Sequence, residues 1–205
     1  MLSPEERVRA DRFLFPADGQ HFTVARAALR EVLGEALGIP PGQVVLTYGA
    51  HGKPALAGLQ AASGLRFNLS HSGARALVGL ARGAELGVDL EVLRPMTDRD
   101  ALVRRFFSVA ENEAYFRLAP AERQQGFFDG WTRKEAVVKA LGQGLTFPLR
   151  DFDVSLAPGE PARLLRLKAA LGPDCGWCLS AVRLAPGYAA AVVVQGSDCS
   201  VEPMG

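Results

Sequence analysis

W-T-R-K-E-A-V-V-K-A-L-G-Q-G-L, Trp131 to Leu145, is the stretch from which the rest of the chain is best read. It continues a helix expected from Ala121 to Leu141, entered through Pro120 and stopped at Gly142. On a helical wheel Phe127, Phe128, Trp131, Val137, Val138 and Leu141 form one apolar arc, and Lys134 and Glu135 both fall inside it. A charge turned toward a packed face is costly unless something pairs with it, which argues against idle surface residues. Upstream, the strand G-V-D-L-E, Gly87 to Glu91, puts Asp89 and Glu91 on one face, about 7 Å apart at roughly 3.3 Å per residue. With Lys139, the two segments offer three carboxylates and two ammonium groups. That is enough for a divalent metal and a polyphosphate.

Composition narrows the classes. The chain has 205 residues and a formal charge of +1, which gives no general pull toward nucleic acid or an anionic membrane. It opens with charge, M-L-S-P-E-E-R-V-R, unlike a signal peptide. Its longest apolar run, A-A-A-V-V-V from Ala189, is strand-sized, far below the roughly 20 residues of a membrane span. A soluble, cytoplasmic protein is the expectation. C-G-W-C, Cys175 to Cys178, has a redox spacing, but the surrounding residues read as a turn entering a strand. With Cys199 distant and no histidine near, these thiols are expected to be inert. Arginine fills 19 of the 23 basic positions, and the four lysines are Lys53, Lys134, Lys139 and Lys168. A lysine is a compact charge that approaches a phosphate end-on, so two lysines in the opening stretch support a phosphate site.

Patterning predicts a helix from Ser3 to about Leu14, a second from about His21 to Leu37, and a short strand at Val44 to Tyr48. Strands follow at Leu65 to Ser70, Ala74 to Ala81 (expected to be central) and Leu86 to Val92, the last two read as a hairpin. That hairpin would bring S-H-S, Ser70 to Ser72, to the end of the sheet that carries Asp89 and Glu91. A phosphate clamp and a metal site would then converge. After a linker at Arg94 to Thr97, helices are expected at Asp98 to Phe106 and Val109 to Leu118, with strands at Asp151 to Leu156, Arg163 to Leu167, Cys178 to Leu184 and Tyr188 to Gln195. Helices grouped before antiparallel strands, twice over, argue an α+β fold. Two similar α+β subdomains are expected, residues 1–94 and 95–205.

Each residue also has a plainer reading. By alternation alone, Asp89 and Glu91 are the wet face of an amphipathic strand. Glu135 and Lys139, spaced i, i+4, would stabilise an exposed helix by themselves. His71 is a turn histidine as readily as a phosphate contact, Lys53 in H-G-K-P an ordinary loop lysine, and Arg26 and Arg30 a solvated helix face. Glu111 has nothing to distinguish it by composition.

Four motifs in series change the weighting. F-N-L-S-H-S-G, G-V-D-L-E, R-F-F-S-x-x-E and the tryptophan stretch, in this order and spacing, resemble the 4′-phosphopantetheinyl transferases of the larger surfactin-synthetase-activating type. The resemblance runs from about Ser3 to Val194. It implies a monomer of two α+β halves about a pseudo-twofold axis with the active site at their interface, and transfer of phosphopantetheine from coenzyme A to a serine of an apo acyl- or peptidyl-carrier protein, releasing 3′,5′-ADP. It implies Mg²⁺, with Mn²⁺ the other candidate, on Asp89, Glu91 and Glu135, with Glu135 as general base. Lys139 is expected on the pyrophosphate with Lys134 nearby, Ser70, His71 and Lys53 on coenzyme A, and Glu111 near the metal and pantetheine. The family's opening edge strand is expected to be absent, and Glu6 stands where a lysine is often found. The rival readings are another metal-dependent phosphotransferase and an inactive coenzyme A- or carrier-binding protein.

Overall fold

The computed structural model describes residues 2–49, 52–144, 147–167, 176–197 and 200–202. His51, Leu145, Lys168, Cys175 and Cys199 therefore lie outside the described residues. The chain divides into two compact units, Met1–Leu65 and Arg66–Gly205. Both mix helices with antiparallel strands, so the α+β expectation holds.

In the first unit, α1 (Pro4–Ala10) begins with a capping box. The Ser3 hydroxyl accepts from the Glu6 amide, and the Glu6 carboxylate accepts from the Ser3 amide at 2.9 Å. α2 (Pro16–Leu37) starts on a proline and stops at Gly38, whose φ of 67° closes the helix in the left-handed region. β1 (Leu46–Tyr48) and β2 (Pro54–Leu56) pair antiparallel. The solvated face expected for Arg26 and Arg30 is not found: positions 26, 29, 30 and 33 form one stripe, which is buried. Arg30 is only 3% exposed, bonds Glu6 at 2.7 Å and donates to the Val44 carbonyl at 2.8 Å. The Arg26 guanidinium lies 5.3 Å from the Phe22 ring centroid and 5.5 Å from that of Tyr48.

The second unit holds the remaining elements. β3 (Leu65–Ser72) pairs with β4 (Arg75–Arg82), and β5 (Leu86–Val92) pairs with β9 (Tyr188–Gln195), which pairs in turn with β8 (Trp177–Ala181). β6 (Phe152–Val154) and β7 (Leu164–Leu167) form a further ribbon. The expected hairpin of β4 with β5 is thus corrected, and β4 is half-exposed rather than central. The reason lies in the two edges of β5. Its far edge pairs with β9, while the Val88, Leu90 and Val92 amides are taken by side chains of β3, leaving β4 to β3 alone. Because β5 joins a sheet with β8 and β9, the compact division falls at Leu65 and differs from the halves 1–94 and 95–205 read from the sequence.

α3 (Arg99–Phe106), α4 (Val109–Arg117) and α5 (Arg123–Leu141) complete the unit. α5 is buried nearly all round, not along one arc. Its C-terminal part packs Ala136, Val137 and Ala140 with Phe152, Leu179, Ala191 and Val193. Its N-terminal part packs Phe127 and Phe128 with Val103, Phe107 and Tyr115. Cys178, expected as an inert thiol, is disulfide-bonded. No helix among the described residues is long and apolar enough to cross a membrane.

Candidate active site

The site is built where α5 lies against β5. Gly87 allows this approach: a β-carbon there would overlap the Ala136 carbonyl oxygen and the Ala140 nitrogen of α5. Two residues along the strand, Asp89 comes within reach of Lys139, one turn beyond Glu135. A cavity of about 360 Å³ opens at this junction, lined by Leu69, Ser70, His71, Asp89, Glu91, Trp131, Glu135 and Lys139. All eight belong to the second unit.

Asp89 is 4% exposed. Its Oδ1 accepts from Lys139 Nζ at 2.6 Å and from the Ser70 hydroxyl at 2.9 Å. Its Oδ2 is buried and has no hydrogen-bond partner. Burial raises the Asp89 pKa above its ordinary value; Lys139 and Ser70 pull it down without cancelling the effect, and Glu91 adds to it. Glu135 is raised too, first by burial and then by the negative charges of Asp89 and Glu91, against the opposing pull of Lys139. Glu91 accepts from the Ser72 hydroxyl at 3.0 Å and lies 3.5 Å from Arg94. Three carboxylates thus face a space into which Lys139 is the one cationic side chain among the described lining residues.

Among the described residues, no three His, Cys, Asp or Glu side chains stand close enough to form a ready metal site. The donor chemistry nonetheless fits a hard divalent cation. Carboxylate oxygens are what Mg²⁺ and Mn²⁺ take, and the unpartnered Asp89 Oδ2 is an oxygen that only a cation or a donor would satisfy. Mg²⁺ keeps several waters and substrate oxygens, so it does not require an all-protein cage.

The other expected residues separate cleanly. Ser70 and His71 line the cavity, His71 exposed and Ser70 buried. Lys134 and Glu111, which the resemblance puts near coenzyme A, do not line it. Lys134 is 0% exposed; its three protons go to Glu111 at 2.8 Å, the Leu149 carbonyl at 2.7 Å and the Phe152 carbonyl at 2.9 Å. Glu111 also accepts from the Ser108 and Val154 amides. Burial lowers the Lys134 pKa and raises that of Glu111, each opposed by the partner's charge. Ser108 and Glu111 are a capping box, and S-x-x-E at the head of the helix was the signal for it in the sequence. Lys53 precedes β2 in the first unit and is half-buried. Trp131 lines the cavity as well, although its place in the apolar arc gave no hint of that.

The sequence compares well with known proteins. Residues 85–193 match the model of the 4′-phosphopantetheinyl transferase superfamily, and residues 1–82 match that of a 4′-phosphopantetheinyl transferase N-terminal region. The 4′-phosphopantetheinyl transferase HetI of a Nostoc species is 43% identical over 188 residues, 90% of this chain and 78% of its own. The transferase psf-1 of Bacillus pumilus is 33% identical, over 80% of this chain and 67% of its own. Sfp of Bacillus subtilis is 28% identical, over 76% and 66%.

Proposed function

We propose, for a chain that belongs to the 4′-phosphopantetheinyl transferase superfamily, that it moves the phosphopantetheine arm of coenzyme A to a carrier-protein serine at the β5–α5 cavity. The observation that carries this reading is the unpartnered, buried Asp89 Oδ2 in a cavity shared with Glu91, Glu135 and Lys139. Asp89, Glu91 and Glu135 would hold the divalent cation. When bound, such a cation neutralises the pyrophosphate and stabilises charge on the departing phosphate oxygens.

The protein's own residues do the rest. The carrier serine hydroxyl attacks the phosphorus that bears the pantetheine arm. A new phosphorus–oxygen bond forms, the bond within the pyrophosphate breaks, and 3′,5′-ADP leaves with the electron pair. Glu135 takes the serine proton, directly or through one water. Glu135 lines the cavity with Asp89 and Glu91, where a carboxylate can meet the incoming hydroxyl. Lys139 supplies positive charge to the pyrophosphate, and the exposed imidazole of His71 at the cavity edge binds a phosphate of coenzyme A.

The test is incubation with coenzyme A, Mg²⁺ and an apo carrier protein. This reading predicts a carrier mass increase equal to one phosphopantetheine per reactive serine, with an equal amount of 3′,5′-ADP. Hydrolysis of coenzyme A without carrier modification would favour a different phosphotransferase. Binding of either partner without turnover would favour an inactive binding protein.

A further inference from the structure

Ser70 and Ser72 repeat one arrangement at two positions on β3. Ser70 Oγ accepts from the Leu90 amide at 3.2 Å and donates to the carboxylate of Asp89, the preceding residue, at 2.9 Å. Ser72 Oγ accepts from the Val92 amide at 3.1 Å and donates to the carboxylate of Glu91, again the preceding residue, at 3.0 Å. Asn68, two residues earlier, accepts from the Val88 amide at 2.8 Å. Its β5 counterpart offers no carboxylate, because position 87 is glycine. Three rungs at a spacing of two therefore dock β5, and the last two also orient an acidic side chain.

A hydroxyl has one proton to give and two lone pairs to receive with. Ser70 spends its proton on Asp89 and fills both acceptor positions with the Leu90 amide and Lys139 Nζ, the latter at 3.0 Å. Ser72 likewise commits its proton to Glu91. While these bonds stand, neither serine hydroxyl has a proton left for a phosphate oxygen, and His71 is the S-H-S side chain that remains for one.

We propose that Ser72 is a positioning residue for Glu91, and that Ser70 serves Asp89 in the same way, so that the two hydroxyls fix how β5 presents its carboxylates to the cation. This rests on the reading of Asp89 and Glu91 as cation ligands. Groups hydrogen-bonded to a ligating carboxylate tune its grip on the metal, and their removal typically costs about 10- to 100-fold in affinity.

The experiment measures Mn²⁺ affinity by electron paramagnetic resonance on the full-length protein with coenzyme A present, alongside thermal stability. Ser72→Ala should weaken Mn²⁺ binding about tenfold, and Ser72→Thr, which keeps the hydroxyl, should stay within about twofold of the parent. Asn68→Ala removes a docking rung without touching a carboxylate; it should lower stability and leave Mn²⁺ affinity unchanged. Parent-like affinity in Ser72→Ala, or an equal loss in Asn68→Ala, would overturn the positioning role. Glu91→Gln separates the two levels. If it binds Mn²⁺ like the parent, the cation reading falls and the role of Ser72 with it. If Glu91→Gln binds weakly and Ser72→Ala does not, the positioning role alone falls.

Discussion

Helix α5 carries two lysine–carboxylate pairs five residues apart, and they differ in nearly everything but chemistry. Lys134 with Glu111 is sealed: every ammonium proton has an acceptor, and both Glu111 oxygens are engaged by backbone amides. Lys139 with Asp89 is open: one carboxylate oxygen is engaged, the other is orphaned, and a cavity begins beside it. A buried charge whose capacity is fully used holds the fold together. One whose capacity is left over is available to a ligand. A third pair, Asp129 with Arg133 at 3.8 Å, lies between these extremes.

The largest expected effect comes from breaking the sealed pair. Lys134→Ala leaves Glu111 buried and unpaired, and should cost about 3–5 kcal/mol of unfolding free energy in denaturant titration. Transfer by the fraction that remains folded should be close to the parent's, since the residue does not line the cavity. At the open pair the pattern reverses. Glu135→Gln should reduce the transfer rate by roughly 10²–10⁴-fold, the usual range for loss of a general base, with the unfolding midpoint little changed.

Gly87→Ala tests the distance on which the open site depends. It pushes α5 off β5, because the new methyl group meets helix backbone that cannot rotate away. A loss of roughly 1–3 kcal/mol is expected, with transfer impaired beyond what the lost folded fraction explains. The smallest effect is at Asp129. Its folded pKa is raised, chiefly by burial, with Gln125 and Arg133 opposing. Its contribution is therefore favourable below the unfolded value near 3.8 and is lost as pH rises through the folded one. Asp129→Asn should match the parent in acid and be slightly more stable at neutral pH, as read from melting curves across that range.

Much of this was legible beforehand, for physical reasons. Period-two alternation located β5 at Leu86–Val92, and glycine stops located the ends of α2 and α5. The inference that a charge on a buried helix needs a partner held for Lys134, which Glu111 compensates. What the helical wheel could not supply was the partner. It treated Lys134 and Glu135 alike, although one faces Glu111 and the other a cavity. The capping boxes Ser3–Glu6 and Ser108–Glu111 were visible as S-x-x-E, yet each glutamate also takes a buried cation from the following α-helix, Arg30 or Lys134. Strand pairing was misread for a similar reason. Adjacency in the chain favours a β4–β5 hairpin, whereas side chains of β3 occupy that edge of β5.

The most direct measurement is the intact mass of an apo carrier protein after incubation with coenzyme A, Mg²⁺ and the Asp89→Asn variant. The substitution keeps the size of the side chain, removes the carboxylate's charge and puts an amide group in place of one of its oxygens, of which Oδ2 has no partner. A folded variant that leaves the carrier unmodified is the predicted result; a folded variant that modifies it at the parent's rate contradicts the assignment of the β5–α5 cavity as the transfer site.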